Sequence, residues 1–70
     1  MNRLNQMEKD IILSFARNDM RVISAGKELF MSYGSVHYHM KKIKEKTGLD
    51  PKKFYELIEL VKEVKGDDEE

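Results

Sequence analysis

The chain contains no cysteine, which removes disulfides as supplementary bracing and thiolate zinc sites as a source of folding energy. It has no apolar run approaching the ~20 residues that a membrane-spanning helix needs. Its N-terminus shows no signal-peptide pattern, so the cytoplasm is the expected compartment. Proline occurs once, at Pro51, and no repeat or low-complexity linker separates segments. Val, Ile and Thr do not gather into alternating runs, whereas Leu, Lys, Glu and Met dominate, which favours helix over strand. Net charge is missing as well, with 13 basic residues against 13 acidic ones. The 70 residues make one domain with a small core, of the size that gains from pairing or from a bound partner. No glycine-rich phosphate loop, paired-carboxylate cleft or activated nucleophile can be drawn from the chain, so no enzyme, cofactor or small-molecule substrate is expected.

What is present is helical periodicity, punctuated by caps. Asn5 with Glu8 three residues later forms a capping-box pattern. It opens a helix from about 6 to 17, whose stripe is Leu4, Met7, Ile11 and Phe15, widened by Ile12. Asn18 and Asp19 end it, and Asp19 is placed to cap a second helix over about 20–30 that turns Val22, Ala25, Gly26 and Leu29 inward. Gly26 costs a helix interior ~1 kcal/mol relative to alanine, a cost that close approach of the next helix would explain. Met31 and Ser32 form a short turn, and Ser32 caps a third helix over about 33–46. Val36, Met40, Ile43 and Thr47 recur at the spacing of a buried stripe. Gly48 with Leu49 reads as a Schellman-type stop. Asp50 caps a fourth helix with Pro51 at its first position, carrying Phe54, Leu57, Ile58 and Val61 on its apolar face and ending at Gly66. The expected architecture is an all-α, small four-helix domain containing a helix-turn-helix over residues 1–65, with a disordered acidic tail at 66–70.

The zero net charge hides an uneven distribution. Four of the acids are the last four residues, and without them the chain carries +4. Between Met31 and Lys53 six lysines face only Glu45 and Asp50, again +4, and local sign governs docking. On the third helix, the direction opposite Val36, Met40 and Ile43 belongs to Gly34, Tyr38, Lys41, Lys42 and Glu45, with Ser35, His37 and His39 on the flanks. A recognition helix puts its N-terminal half against base edges. The expected DNA-contacting residues are therefore Ser32, Tyr33, Gly34, Ser35, His37, Tyr38 and His39 at the groove. Lys41, Lys42 and Lys44 would follow along the phosphates, giving affinity without sequence information.

The segment from Leu29 to Asp50 resembles the C-terminal helix-turn-helix of the PucR family of bacterial transcriptional regulators. The resemblance rests on Ala25-Gly26, Leu29-Phe30-Met31, Ser35-Val36-His37-Tyr38, Lys41-Lys42-Ile43 and, most specifically, Thr47-Gly48-Leu49-Asp50. Gly34-Ser35-Val36 is also similar to the start of the Fis-type recognition helix. With the first and fourth helices in register, the resemblance covers about four fifths of the chain. It implies a four-helix DNA-binding domain whose reader is the helix around Ser35 to Lys42. The family usually has arginine where this chain has Tyr33, His37 and His39, and asparagine where it has Gly34, so the bidentate arginine contacts to guanine and phosphate are missing. The family joins this domain to a larger sensory region, so a signal reaching this domain is expected to come from a partner or from concentration.

Plainer readings stand beside these. Lysine-rich helix faces are usually solvated surface. His37 and His39 lie two apart, which on a helix points them ~200° apart and argues against joint chelation of a metal; they read instead as surface groups near the groove. Tyr38 has an alternative as a packing residue against the first helix, and the methionines read as core filler. The expected function is a DNA-binding transcriptional regulator whose partner is double-stranded DNA. It is expected to act as a homodimer through the fourth helix or the apolar edge of the first. The alternative is a protein-interaction module that kept the shape and lost DNA contact.

Overall fold

The structure, a computed structural model, describes residues 4–68. Four helices occur among them, α1 (Gln6–Arg17), α2 (Val22–Leu29), α3 (Tyr33–Thr47) and α4 (Phe54–Asp68), with no strand. Helix α1 is the hub and packs on each of the other three, while α3 crosses α1 and α2, and α4 lies on α1.

The start of α1 follows the sequence. Asn5 Oδ1 accepts from the Glu8 amide at 2.8 Å and Glu8 Oε1 accepts from the Asn5 amide at 3.0 Å, a complete capping box. Its stripe departs from expectation at one position. Met7 is 44% exposed, and Glu8 lies in the stripe at 2% exposure beside Leu4, Ile11, Ile12 and Phe15. Glu8 is four residues from Leu4 and three and four from Ile11 and Ile12, so it occupies the centre of the face and Met7 its rim. The carboxylate tolerates burial because Lys46 of α3 reaches it at 2.8 Å and the Asn5 amide satisfies it further.

The α1–α2 turn differs more. Asp19 and Met20 both take left-handed backbone (φ 55° and 63°), and the Met20 amide reaches back to the Phe15 carbonyl at 2.8 Å. Helix α2 consequently starts at Val22 rather than near Met20, behind Arg21, which makes no side-chain cap; Asp19 is spent on the turn and does not cap. The ends of α1 and α2 are joined by Glu28, whose carboxylate accepts from Ser14 Oγ (2.7 Å), Arg17 Nη2 (2.6 Å) and Asn18 Nδ2 (2.7 Å).

Gly26 has a clear physical reason, though not chiefly the expected one. A Cβ there would stand 2.7 Å from the Met31 carbonyl oxygen and 3.5 Å from Val36 Cγ2. The turn backbone itself folds against the glycine, and α3 comes second. The same fold-back lets the Met31 amide reach the Gly26 carbonyl at 2.8 Å, with Phe30 in the left-handed region (φ 58°, ψ 44°).

Helix α3 begins as read, with the Ser32 hydroxyl accepting from the Ser35 amide at 3.2 Å, and buries Val36, Met40 and Ile43. At its end Gly48 is left-handed (φ 77°) and donates to the Lys44 carbonyl at 2.8 Å. The Leu49 amide goes to Thr47 Oγ1 at 3.0 Å, so the stop is a single-bond left-handed cap in place of a Schellman pair.

Helix α4 corrects the sequence reading at both ends. Asp50 does cap, accepting from the Lys52 amide at 2.9 Å, but what it caps is a single turn. That turn has the Lys53 amide on the Asp50 carbonyl and Pro51 buried beneath it, and α4 starts only at Phe54. The shifted start rotates the face. Leu57, Leu60 and Val64 are the buried positions, Ile58 and Val61 are half-buried, and Phe54 is 58% exposed. The helix also runs through Gly66 to Asp68, so the expected disordered tail is helical at its first residues; Glu69 and Glu70 lie outside the described residues.

Candidate nucleic-acid interface

With Val36, Met40 and Ile43 inward at 0–2% exposure, α3 presents the opposite face to solvent. Ser32, Tyr33, Gly34, Tyr38, Lys41 and Lys44 are exposed, and Ser35, His37, His39 and Lys42 are half-buried on the flanks. The rotation read from the sequence holds for Val36, Met40 and Ile43 inward and Gly34, Tyr38, Lys41 and Glu45 outward, whereas Thr47, read into the buried stripe, and Lys42, read as opposite it, are both half-buried. Tyr38 is 58% exposed and stands outward, against the packing alternative.

The outward residues organise into two flanks. On one, the Tyr33 and His37 rings meet edge-on with centroids 4.4 Å apart, and His37 continues into a cleft of about 360 Å³ with Met40, Lys41, Lys44, Asp50 and Lys52. The His37 Nε2 atom is buried and has no hydrogen-bond partner. On the other, Tyr38 and His39 rings lie 5.3 Å apart edge-on. Both line a cleft of about 310 Å³ with Asn5, Glu8, Lys42 and Lys46. The two histidines thus belong to different clefts. Lys42 Nζ sits 5.6 Å from the Tyr38 ring centroid, a cation–π contact that holds the ammonium beside the exposed ridge.

The lysines differ in how free they are. Lys46 is committed to Glu8. Lys42 is 3.8 Å from Glu45 and Lys44 is 3.7 Å from the half-buried Asp50, long pairs whose lysine ends reach solvent. Lys41 has no ion pair among the described residues. The sequence reading missed Lys52, which it placed inside the fourth helix. The Asp50–Lys53 turn brings it beside Lys41 and Lys44. The available signal was the Lys52-Lys53 pair directly after the Gly48 stop.

The arrangement is an exposed aromatic and polar face of α3 with lysine-walled clefts on either side. The first-turn amides of Tyr33 and Gly34 have no helical partner by construction, and a Cβ at Gly34 would meet nothing within 4 Å, so the backbone there is open to close approach.

A third concavity, of about 430 Å³, lies away from α3. It is walled by Ala16, Asp19, Met20, Phe54, Leu57, Ile58, Val61 and Lys62. Phe54 and Tyr55, at 58% and 80% exposure, stand at this end of α4.

In comparisons with known proteins, residues 10–64 match the family described as the PucR C-terminal helix-turn-helix domain. Neither the curated proteins nor the solved structures yield a match.

Proposed function

Because the chain belongs to the PucR C-terminal helix-turn-helix family, we propose that it is a DNA-binding transcriptional regulator that lays α3 in the major groove. It acts by binding, as helix-turn-helix domains typically do. The observation that carries this reading is the rotation of α3, with Val36, Met40 and Ile43 wholly inward and Tyr33, Gly34, Tyr38 and Lys41 outward between two lysine-walled clefts. Tyr33, Gly34, Ser35, His37, Tyr38 and His39 meet base edges, Ser32 holds the helix end at the backbone, and Lys41, Lys42, Lys44 and Lys52 neutralise phosphates. Without arginine forks at Tyr33, His37 and His39, discrimination between bases rests on hydroxyl, imidazole and apolar contacts.

Two copies give the affinity that one short helix lacks, and a two-fold pair reads two half-sites about 34 Å apart. The α1–α4 groove is the surface for that pairing, since it leaves α3 free. It carries one acid, Asp19, and one base, Lys62, neither ion-paired among the described residues. In the proposed pair, Asp19 of each copy meets Lys62 of the other.

Duplexes recovered from a random pool, titrated at two salt concentrations, test the proposal. Affinity should fall steeply with salt, and losing one of Lys41, Lys44 or Lys52 should lower the log–log slope by about 0.9. Lys41→Ala should weaken all sequences alike, whereas Tyr38→Ala should change which is preferred. The missing arginines favour one rival, a protein-interaction module without DNA binding; no complex at low salt would decide for it. For the dimer, Asp19→Lys or Lys62→Asp alone should shift sedimentation towards monomer, and the double reversal should restore pairing.

A further inference from the structure

Three non-glycine residues hold left-handed backbone, Asp19, Met20 and Phe30. Asp tolerates that region through local hydrogen bonding. Met20 offsets its cost by packing against the core. Phe30 does neither, being 96% exposed, at a cap where the chain geometry suits glycine. The fold gains nothing from this ring, and the backbone is strained to carry it.

Its position gives the ring a use. Phe30 lies two residues before the Ser32 cap and three before Tyr33, beside the end of α3 that leads into the groove. On that edge Tyr33 is also exposed and Gly34 leaves the backbone bare. The apolar group that a major groove offers to an aromatic ring is the thymine C5 methyl.

We propose that Phe30 is a sequence-reading residue whose ring packs on the C5 methyl of a thymine at the edge of each half-site. The inference rests on α3 entering duplex DNA. The test uses the full chain and a duplex selected from a random pool, with each thymine replaced in turn by deoxyuridine, which removes only the methyl. One position should cost the wild-type protein roughly fourfold in affinity, the worth of one buried methyl group. Phe30→Gly should bind the parent duplex more weakly, show no loss at that position and melt about 4 °C higher through relief of strain. Phe30→Asn, also tolerant of left-handed backbone, should repeat the binding result. If no thymine is methyl-sensitive, or if the sensitivity survives in both variants, the contact is refuted. An unchanged melting temperature for Phe30→Gly would remove its structural premise. Failure of the wild-type protein to bind any duplex would instead sink the DNA-binding reading, and this contact with it.

Discussion

Gly26 and Gly34 occupy the same helix-turn-helix, eight residues apart, and they are glycines for opposite reasons. An added methyl at Gly26 runs into the Met31 carbonyl, whereas one at Gly34 enters open space. The contrast extends to the surroundings of each. Beside Gly26 lie Ala25 and Val36, both at 0% exposure, where shape is dictated by contact. In the turn and outer face to which Gly34 belongs, Phe30, Tyr33 and Tyr38 are 58–96% exposed, and little protein constrains the choice. Residues on the inner side are explained by the fold. Those on the outer side need an explanation from outside it.

The sharpest way to break this contrast is Gly26→Ala. The obstacle is backbone, not the flexible end of a side chain, so the α2–α3 turn itself must shift. Overpacking of this kind costs about 1–3 kcal/mol, partly offset by alanine's better helix propensity. Urea denaturation should show a net loss of about 1–2 kcal/mol, a large share of the stability of so small a domain. A neutral result would mean that the turn is loose, and the inner side would lose its claim to be fixed by contact.

Next in size is Lys46→Met. It strands the Glu8 carboxylate, 2% exposed, with the Asn5 amide as its remaining partner. Leaving a buried acceptor under-satisfied costs about 1–3 kcal/mol. Pairing it with Glu8→Leu should recover most of the loss, because the stripe position is apolar in character. Denaturation of both variants checks the cycle, and failure of the double variant to recover would show that the ion pair itself holds α3 on α1.

A smaller effect separates the other buttress of the inner side, Glu28. Hydrogen bonds from Ser14, Arg17 and Asn18, with the Arg17 charge added, hold its carboxyl down to about 2 from an ordinary 4.5. A lowered folded-state pKa gives stability that is fully present above 4.5 and is lost as pH falls towards 2. Thermal melts should decline through that window, and Glu28→Gln should flatten the decline while leaving the behaviour at pH 7 to 8 parallel to wild type.

These positions also mark what the sequence could disclose. The caps at Asn5, Ser32 and Gly48 and the stripe of α3 were legible, because each depends on residues within one or two turns. The placement of Glu8, Phe54 and Lys52 was not. Glu8 sits in an apolar stripe only because Lys46, 38 residues away, reaches it. Phe54 is exposed and Lys52 is brought to α3 because the Asp50 cap closes a separate turn before α4, a choice that Glu56 reinforces by accepting the Asp50 amide at 2.6 Å. The outer face of α3 was readable as a face because rotation about a helix is fixed by the buried side. Which of its residues touch a base was not readable, since no intramolecular contact selects them.

Gly34→Ala is the smallest perturbation of the fold and the cleanest probe of the outer side. The added methyl meets nothing within 4 Å, and alanine is favoured over glycine in a helix by up to ~1 kcal/mol, less in a first turn. Stability should therefore hold or rise slightly. If the bare backbone exists so that DNA can approach it, affinity for a selected duplex should drop several-fold while the salt slope, set by the lysines, stays unchanged. That combination separates groove contact from phosphate contact at a single carbon atom. Should affinity stay at the wild-type level, Gly34 is free of both fold and ligand, and the reading edge of α3 begins further along, at Ser35 and Tyr38.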